Sequence, residues 1–345
     1  AVENKSTHAQ AYYNRGVLYF NRNDYEKALV DFSSCLLNDR TSAYAYNDRG
    51  STKRQMGDLK GAIADYNAAI QIDKTLTFVY NNLASAKRKN GDLKGAITDY
   101  SKAISLDANY TLAYNNRGSA KYDAEDYKGA IEDFTKTIEL DPKYAYAYNN
   151  RAAAKFKIKD YNGAIADYNK TIELTPDFAI AYINRGIAKN ILLDYKSAIT
   201  DYNKAIELNP EFAEAYNNRG LTKSYLKDYK GAIADYNKAI EINPVYTEAY
   251  YNRGNTNSYL EDYKGAIIEY DKAIGINPGF ANAYLNRGAT KVRLEDYRSA
   301  IDDYSKAILL NSNQIYIAYF CLNRNQEIFG VPYAKFSCGS PPQLV

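Results

Sequence analysis

Aromatic, small and polar positions recur along the chain in a fixed order that restarts every 34 residues, from Tyr12 to Tyr284. Counted from Ala9, the copies run 9–42, 43–76, 77–110, 111–144, 145–178, 179–212, 213–246, 247–280 and 281–314. The phrase Tyr114-Asn115-Asn116-Arg117-Gly118 returns with small changes, as in Tyr46-Asn47-Asp48-Arg49-Gly50 and Tyr284-Leu285-Asn286-Arg287-Gly288. Within each copy, Tyr at the fourth place and Gly or Ala at the eighth share one helical face with the eleventh, which predicts a first helix. Asp at the sixteenth place of every copy, from Asp24 to Asp296, suits the N-cap of a second helix. That helix carries Ala at the twentieth place and Tyr or Phe at the twenty-fourth, as at Ala130 and Phe134. Pro142, Pro176, Pro210, Pro244 and Pro278 mark its end, since proline disfavours helix in the residue before it. Arg40, Lys74, Ala108 and Ser312 stand in the other copies, whose turns are expected to be looser.

This pattern resembles the tetratricopeptide repeat, and nine in-register copies cover residues 9–314. The resemblance implies an all-α fold: helix pairs stacked into a right-handed superhelix, with the first helices lining a concave groove. At 345 residues two globular domains would be the ordinary expectation, but such chains grow by stacking rather than by enlarging one core. Residues 1–8 read as a polar leader, 315–330 as a C-terminal capping or docking helix, and 331–345 as a proline-containing tail.

Three places depart from the family. Its tryptophan place holds Tyr throughout, its leucine at the seventh place is Arg in all copies but Leu83, and its tyrosine at the eleventh is mostly Lys. Asp or Glu recurs at the twenty-third place, from Asp31 to Asp303. An unpaired charge facing the stack costs several kcal/mol. An Arg–Asp bridge between the two helices of a repeat is therefore expected, with Lys53, Lys121 or Lys223 in support.

Composition removes most chemistry. A formal charge of +3 with 25% charged residues points to neither nucleic acid nor an anionic membrane. No apolar run approaches the ~18 residues that span a bilayer. His8 is the single histidine, and Cys35, Cys321 and Cys338 are too few for a disulfide framework. Cys35 reads as a small buried filler, whereas Cys321 and Cys338 are either a pair or two free thiols. No catalytic constellation, metal set, phosphate loop or cofactor motif stands out, so no enzyme, metal or cofactor is expected. A start at Ala1 without methionine fits a mature exported protein, and equally a trimmed chain.

Binding chemistry remains. The sixth place is Asn14, Asp48, Asn82, Asn116, Asn150, Asn184, Asn218, Asn252 and Asn286, and it is expected to face the groove. A carboxamide offers donors and an acceptor that match an extended peptide backbone. Such a row resembles the asparagine ladders of some tetratricopeptide proteins, including an O-linked sugar transferase; the alternative is that these amides bond to the backbones of neighbouring repeats. Ile180, Ile183, Ile187 and Ile191 form an apolar stripe on the same face, extended by Leu221, Tyr225, Tyr251, Tyr259 and Leu285. Arg54, Lys87, Arg88 and Lys89 make the second and third copies basic. A chaperone-type carboxylate clamp would need Lys or Arg where Tyr44, Asn47, Asp48, Phe78, Asn81 and Asn82 stand, and is absent.

Two functions follow as expectations. One is a non-catalytic scaffold that holds a protein or peptide ligand in its groove. The other is a structural subunit, a homo-oligomer growing head to tail into a filament through its uncapped first repeat and the apolar Ile315, Ile317, Tyr319, Phe320 and Leu322.

Overall fold

The computed structural model describes residues 2–310, with side chains from His8 onward. Among these residues there are eighteen α-helices and no strand. The chain divides into two compact units, Ala1–Leu174 and Thr175–Val345. The first holds α1 (Val2–Asn21), α2 (Tyr25–Asn38), α3 (Ala43–Gln55), α4 (Leu59–Ile72), α5 (Thr77–Lys89), α6 (Leu93–Leu106), α7 (Thr111–Asp123), α8 (Tyr127–Leu140), α9 (Ala145–Lys157) and α10 (Tyr161–Leu174). The second holds α11 (Ala179–Ile191), α12 (Tyr195–Leu208), α13 (Ala213–Tyr225), α14 (Tyr229–Ile242), α15 (Thr247–Tyr259), α16 (Tyr263–Ile276), α17 (Ala281–Arg293) and α18 (Tyr297–Leu310).

In each unit a first (odd-numbered) helix packs on the second helix of its own repeat, and that helix packs on the first helix of the next. Most of α1 before Ala9 is the stretch expected as a leader, here helical from Val2. Ile315, Ile317, Tyr319, Phe320, Leu322, Cys321, Cys338 and the tail lie outside the described residues.

Local chemistry explains each boundary. The sixteenth-place Asp caps the second helix: Asp58 Oδ1 accepts from the Gly61 amide at 2.9 Å, and Asp126 does the same for Gly129 at 3.0 Å. The residue before it is left-handed in every repeat, from Asn23 (φ 59°) and Gly57 (φ 87°) to Leu193 (φ 63°) and Glu295 (φ 62°). This conformation lets the Asp58 amide reach back to the Lys53 carbonyl at 2.9 Å, closing the first helix.

The turn after each second helix corrects the expectation from proline. Asp39, Asp73 and Asp107, in repeats without proline, accept from the amide two residues on at 2.8–2.9 Å. Asp141, Asn209, Asn243 and Asn277, in repeats with proline, do so at 3.0–3.2 Å. The carboxyl or amide side chain closes the turn with or without proline, so the first three turns are no looser. Thr41 and Thr75 add hydroxyl bonds to the same oxygens at 2.6 Å.

The core is built from the smallest and the largest side chains. Alanine at the twentieth place is fully buried throughout, and beside it lie Phe32, Tyr66, Tyr100, Phe134, Tyr168, Tyr202, Tyr236, Tyr270 and Tyr304. Each ring buries on the order of 150–250 Å². Gly50 explains the eighth place, because a Cβ there would stand 2.9 Å from the Tyr66 ring. Cys35 is a buried free thiol that packs with Ala9, Leu36 and Ala45.

Candidate interaction face

The charged network settles the seventh place. Arg151 grips Asp167 with two parallel bonds, Nε to Oδ2 at 2.8 Å and Nη2 to Oδ1 at 2.7 Å. Lys155 reaches Asp167 Oδ2 at 2.8 Å. The same Arg–Asp–Lys set recurs at Arg49–Asp65–Lys53, Arg117–Asp133–Lys121, Arg185–Asp201–Lys189, Arg219–Asp235–Lys223 and Arg287–Asp303–Lys291. Arg253 pairs with Glu269 instead, and Leu83 leaves Asp99 to Lys87 at 2.6 Å. Burial pushes the Asp99 carboxyl above its ordinary range, with Lys87 pulling the other way. These arginines hold their carboxylates, so they are structural rather than an anion-binding row.

The same guanidinium also reaches the preceding repeat. Nη1 donates to the twenty-fifth place there: Arg117 to Ser101 at 3.0 Å, Arg151 to Thr135 at 3.1 Å, Arg219 to Asn203 at 2.7 Å and Arg253 to Asn237 at 2.5 Å. Arg287 meets Asp271 in the same way. The carbon of each guanidinium lies over the Tyr one turn earlier, Arg219 over Tyr216 at 5.3 Å. One side chain thus joins its own two helices and the repeat before.

The sixth-place amides form a second spine, with partners on neighbouring repeats. Asn82 donates to Asn47 at 3.0 Å, Asn116 to Asn81 at 3.0 Å, Asn150 to Asn115 at 3.4 Å and Asn252 to Asn217 at 3.0 Å. Each bond runs from the sixth place of one repeat to the fifth place of the repeat before. Asn286 reaches Tyr251 Oη at 2.9 Å and Asn255 at 2.8 Å. Asp48, as acceptor, reverses the sense and takes the Tyr13 hydroxyl at 2.8 Å. Burial pushes the Asp48 carboxyl up, opposed by the bonds from Tyr13 and Asn47. The neighbouring-repeat alternative therefore describes these amides, but their partners are side chains rather than backbone. The signal was present in the sequence, in Asn47, Asn81, Asn115 and Asn217 one residue before the row.

The spine stops at Ile183, which fills the fifth place with a buried side chain that accepts nothing. Asn218 therefore has no acceptor for its amide nitrogen, while its oxygen takes a long 3.5 Å bond from Asn217. With Asn149 at the fifth place of the repeat before it, the Asn184 amide makes no hydrogen bond either, for a reason other than Ile183. Both are partly exposed on the first-helix wall. Of the predicted stripe, Ile180 is exposed, Ile187 and Ile191 are half-buried, and Ile183 is inside. Tyr225 and Tyr259 lie against the second helices of the preceding repeats, on Tyr195 at 5.6 Å and Tyr229 at 5.9 Å.

Among the described residues no group of His, Cys, Asp and Glu is placed to hold a metal, and no helix is long and apolar enough to cross a membrane.

The paired helices, the 34-residue step and the Ala–Tyr core define a helical-repeat interaction fold, and sequence comparison gives the family. Tetratricopeptide repeat models match residues 9–42, 43–76, 111–144, 145–178, 213–246, 247–280 and 281–314, with further repeat matches at 84–124 and 194–223. The chain belongs to the tetratricopeptide repeat family, a class of protein-interaction scaffold. No curated protein matches the sequence. Among solved structures, the chain is similar to the APC/C hetero-tetramer Cut9–Hcn1, at 15% identity over 92% of this chain and 76% of that one, with a TM-score of 0.59. A tetratricopeptide repeat protein from Parabacteroides merdae aligns at 19% identity over 75% and 99%, with a TM-score of 0.57. PilF of Pseudomonas aeruginosa aligns at 20% over 61% and 96%, with a TM-score of 0.54. At these identities the likeness concerns the fold.

Proposed function

We propose that the chain is a non-catalytic scaffold that holds an extended peptide on the first-helix face of its second unit, around α11 and α13. The observation that supports this reading is that two amides of the row, Asn184 and Asn218, have donors to spare beside Ile180 and Ile187, Asn218 because Ile183 stands where its acceptor would be, whereas elsewhere the row is spent on its neighbours. Free carboxamides next to apolar side chains suit a peptide that offers backbone groups and small aliphatic side chains. A linear peptide selected from a random library against the whole protein supplies the ligand. The Asn184→Ala/Asn218→Ala double variant is expected to weaken it at least tenfold, and Asn116→Ala to leave it unchanged. Equal affinity in the double variant and the parent refutes the site.

A second reading, head-to-tail assembly, draws on exposed groups of α1 and α18. The Arg15 side chain is 57% exposed, against 16–20% for Arg49, Arg117 and Arg151. On α18, Ser305 stands exposed at the twenty-fifth place, with Ile301 and Leu309 also exposed. Seating Arg15 of one copy on Ser305 of the next would repeat the internal junction. Light scattering at micromolar concentration tests this, and a strict monomer excludes it.

A further inference from the structure

A cleft of about 250 Å³ opens on the first-helix face of the first unit, between α7 and α9. Ser119, Tyr122, Phe134, Asn150 and Ala153 line it together with the Arg88–Asp123 ion pair. Sequence differences between repeats explain why it is here. In the repeats of Tyr66 and Tyr270, the core ring carries a hydroxyl that spans to the ninth place, at Ser51 (3.1 Å) and Asn255 (2.7 Å). Phe134 has no hydroxyl to send to Ser119, which turns back to its own helix and donates to the Asn115 carbonyl at 3.0 Å. The next ninth place is Ala153, where the following repeats have Ile187 and Leu221. Three small or truncated groups therefore coincide.

Pockets for whole small molecules run from ~300 to 1,000 Å³, so this cleft is sized for one side chain. Its chemistry selects which. The half-buried Tyr122 ring favours an aromatic guest packed edge-to-face or offset. The rim pair, with Arg88 Nε on Asp123 Oδ2 at 2.6 Å, leaves the outer guanidinium nitrogens and one carboxylate oxygen for a polar group at the guest's edge. We infer that this cleft is an anchor subsite for one aromatic side chain with a polar edge, tyrosine above all, on a bound peptide. The inference rests on the reading of first helices as a peptide-binding face and concerns the first unit by itself.

N-acetyl-tyrosinamide is the probe, titrated into the whole protein and followed by NMR. Saturable binding is expected, with Kd on the order of 1 mM. N-acetyl-leucinamide is expected to bind at least fivefold more weakly. Ala153→Ile, which places the residue of the next repeat in the cleft, is expected to weaken the tyrosine probe at least fivefold. Phe134→Tyr restores the commoner core residue and is expected to weaken it about threefold, with the far-ultraviolet spectrum of the parent. Asn184→Ala/Asn218→Ala should leave the probe untouched. Absence of saturable binding to the parent, equal binding of the leucine probe, or equal binding by both cleft variants overturns the subsite. Should the probe fail while the selected peptide still responds to Asn184 and Asn218, only the subsite falls.

Discussion

Arg151 is the most demanding test of how the stack holds together. Its side chain is 16% exposed and that of Asp167 7% exposed, so the pair is shielded from water. Replacing Arg151 with Leu, the residue that stands at the same place as Leu83, removes a bidentate bond, the tie to Thr135 and the contact over Tyr148 at 5.7 Å. Breaking a buried pair by deleting one partner costs about 3–5 kcal/mol. Lys155, 2.8 Å from Asp167, keeps a countercharge, so the cost is expected at or just below the bottom of that range, at about 2–3 kcal/mol. Deleting the acid instead, by Asp167→Leu, leaves two cations together and should cost more, about 4 kcal/mol. The double variant should recover part of this, with a coupling energy of about 1–3 kcal/mol. Because repeat arrays unfold in segments, amide exchange of α9 and α10 is the proper readout, alongside the urea midpoint. A loss below ~0.5 kcal/mol for Arg151→Leu, within the range of a solvated surface pair, would refute the account of a buried staple.

Other substitutions probe the remaining devices. Asp48 is raised above its unfolded value, so the native state holds its proton more tightly. Its unfavourable contribution is absent below the unfolded pKa and grows as pH rises through the folded one. Asp48→Asn, matching the other repeats, should therefore be more stable than the parent at pH 7, with the difference vanishing in acid; a constant difference across pH sinks the argument. Asp126→Ala removes the cap on the Gly129 amide and should cost about 1 kcal/mol by thermal melting. Leu193, 69% exposed with φ 63°, should gain roughly 0.5 kcal/mol on replacement by Asn, the residue at the same place as Asn23. Ile183→Asn should supply Asn218 with an acceptor and reduce peptide affinity at least fivefold, as read by titration with the selected ligand.

Much of this architecture is legible in the residues because pairs recur together. Arg117 with Asp133, sixteen residues apart in copy after copy, announces a bridge from the residues alone. The tie from Arg117 to Ser101 is not announced, because the twenty-fifth place changes among Ser, Thr, Asn and Asp and only hydrogen-bonding capacity persists. The left-handed fifteenth place is hidden for a related reason. Glu125, Lys159 and Leu193 carry no conformational signature, and only Gly57, Gly91 and Asn23 hint at it. Proline misleads in the opposite direction, since Asp39 and Asp73 close their turns unaided. The sixth-place row is visible, but its use depends on the fifth place, where Ile183 leaves Asn218 without the acceptor that Asn47, Asn81 and Asn217 give to their neighbours.

Because every tie runs to a fixed place in the copy before, the array tolerates excision. Removing residues 111–144 in frame would set Arg151 opposite Ser101 and Asn150 opposite Asn81, each again meeting a partner of the required kind. Gene duplication and loss can therefore lengthen or shorten such a chain without redesigning a joint, whereas a cut that breaks the 34-residue step would strand both spines at once.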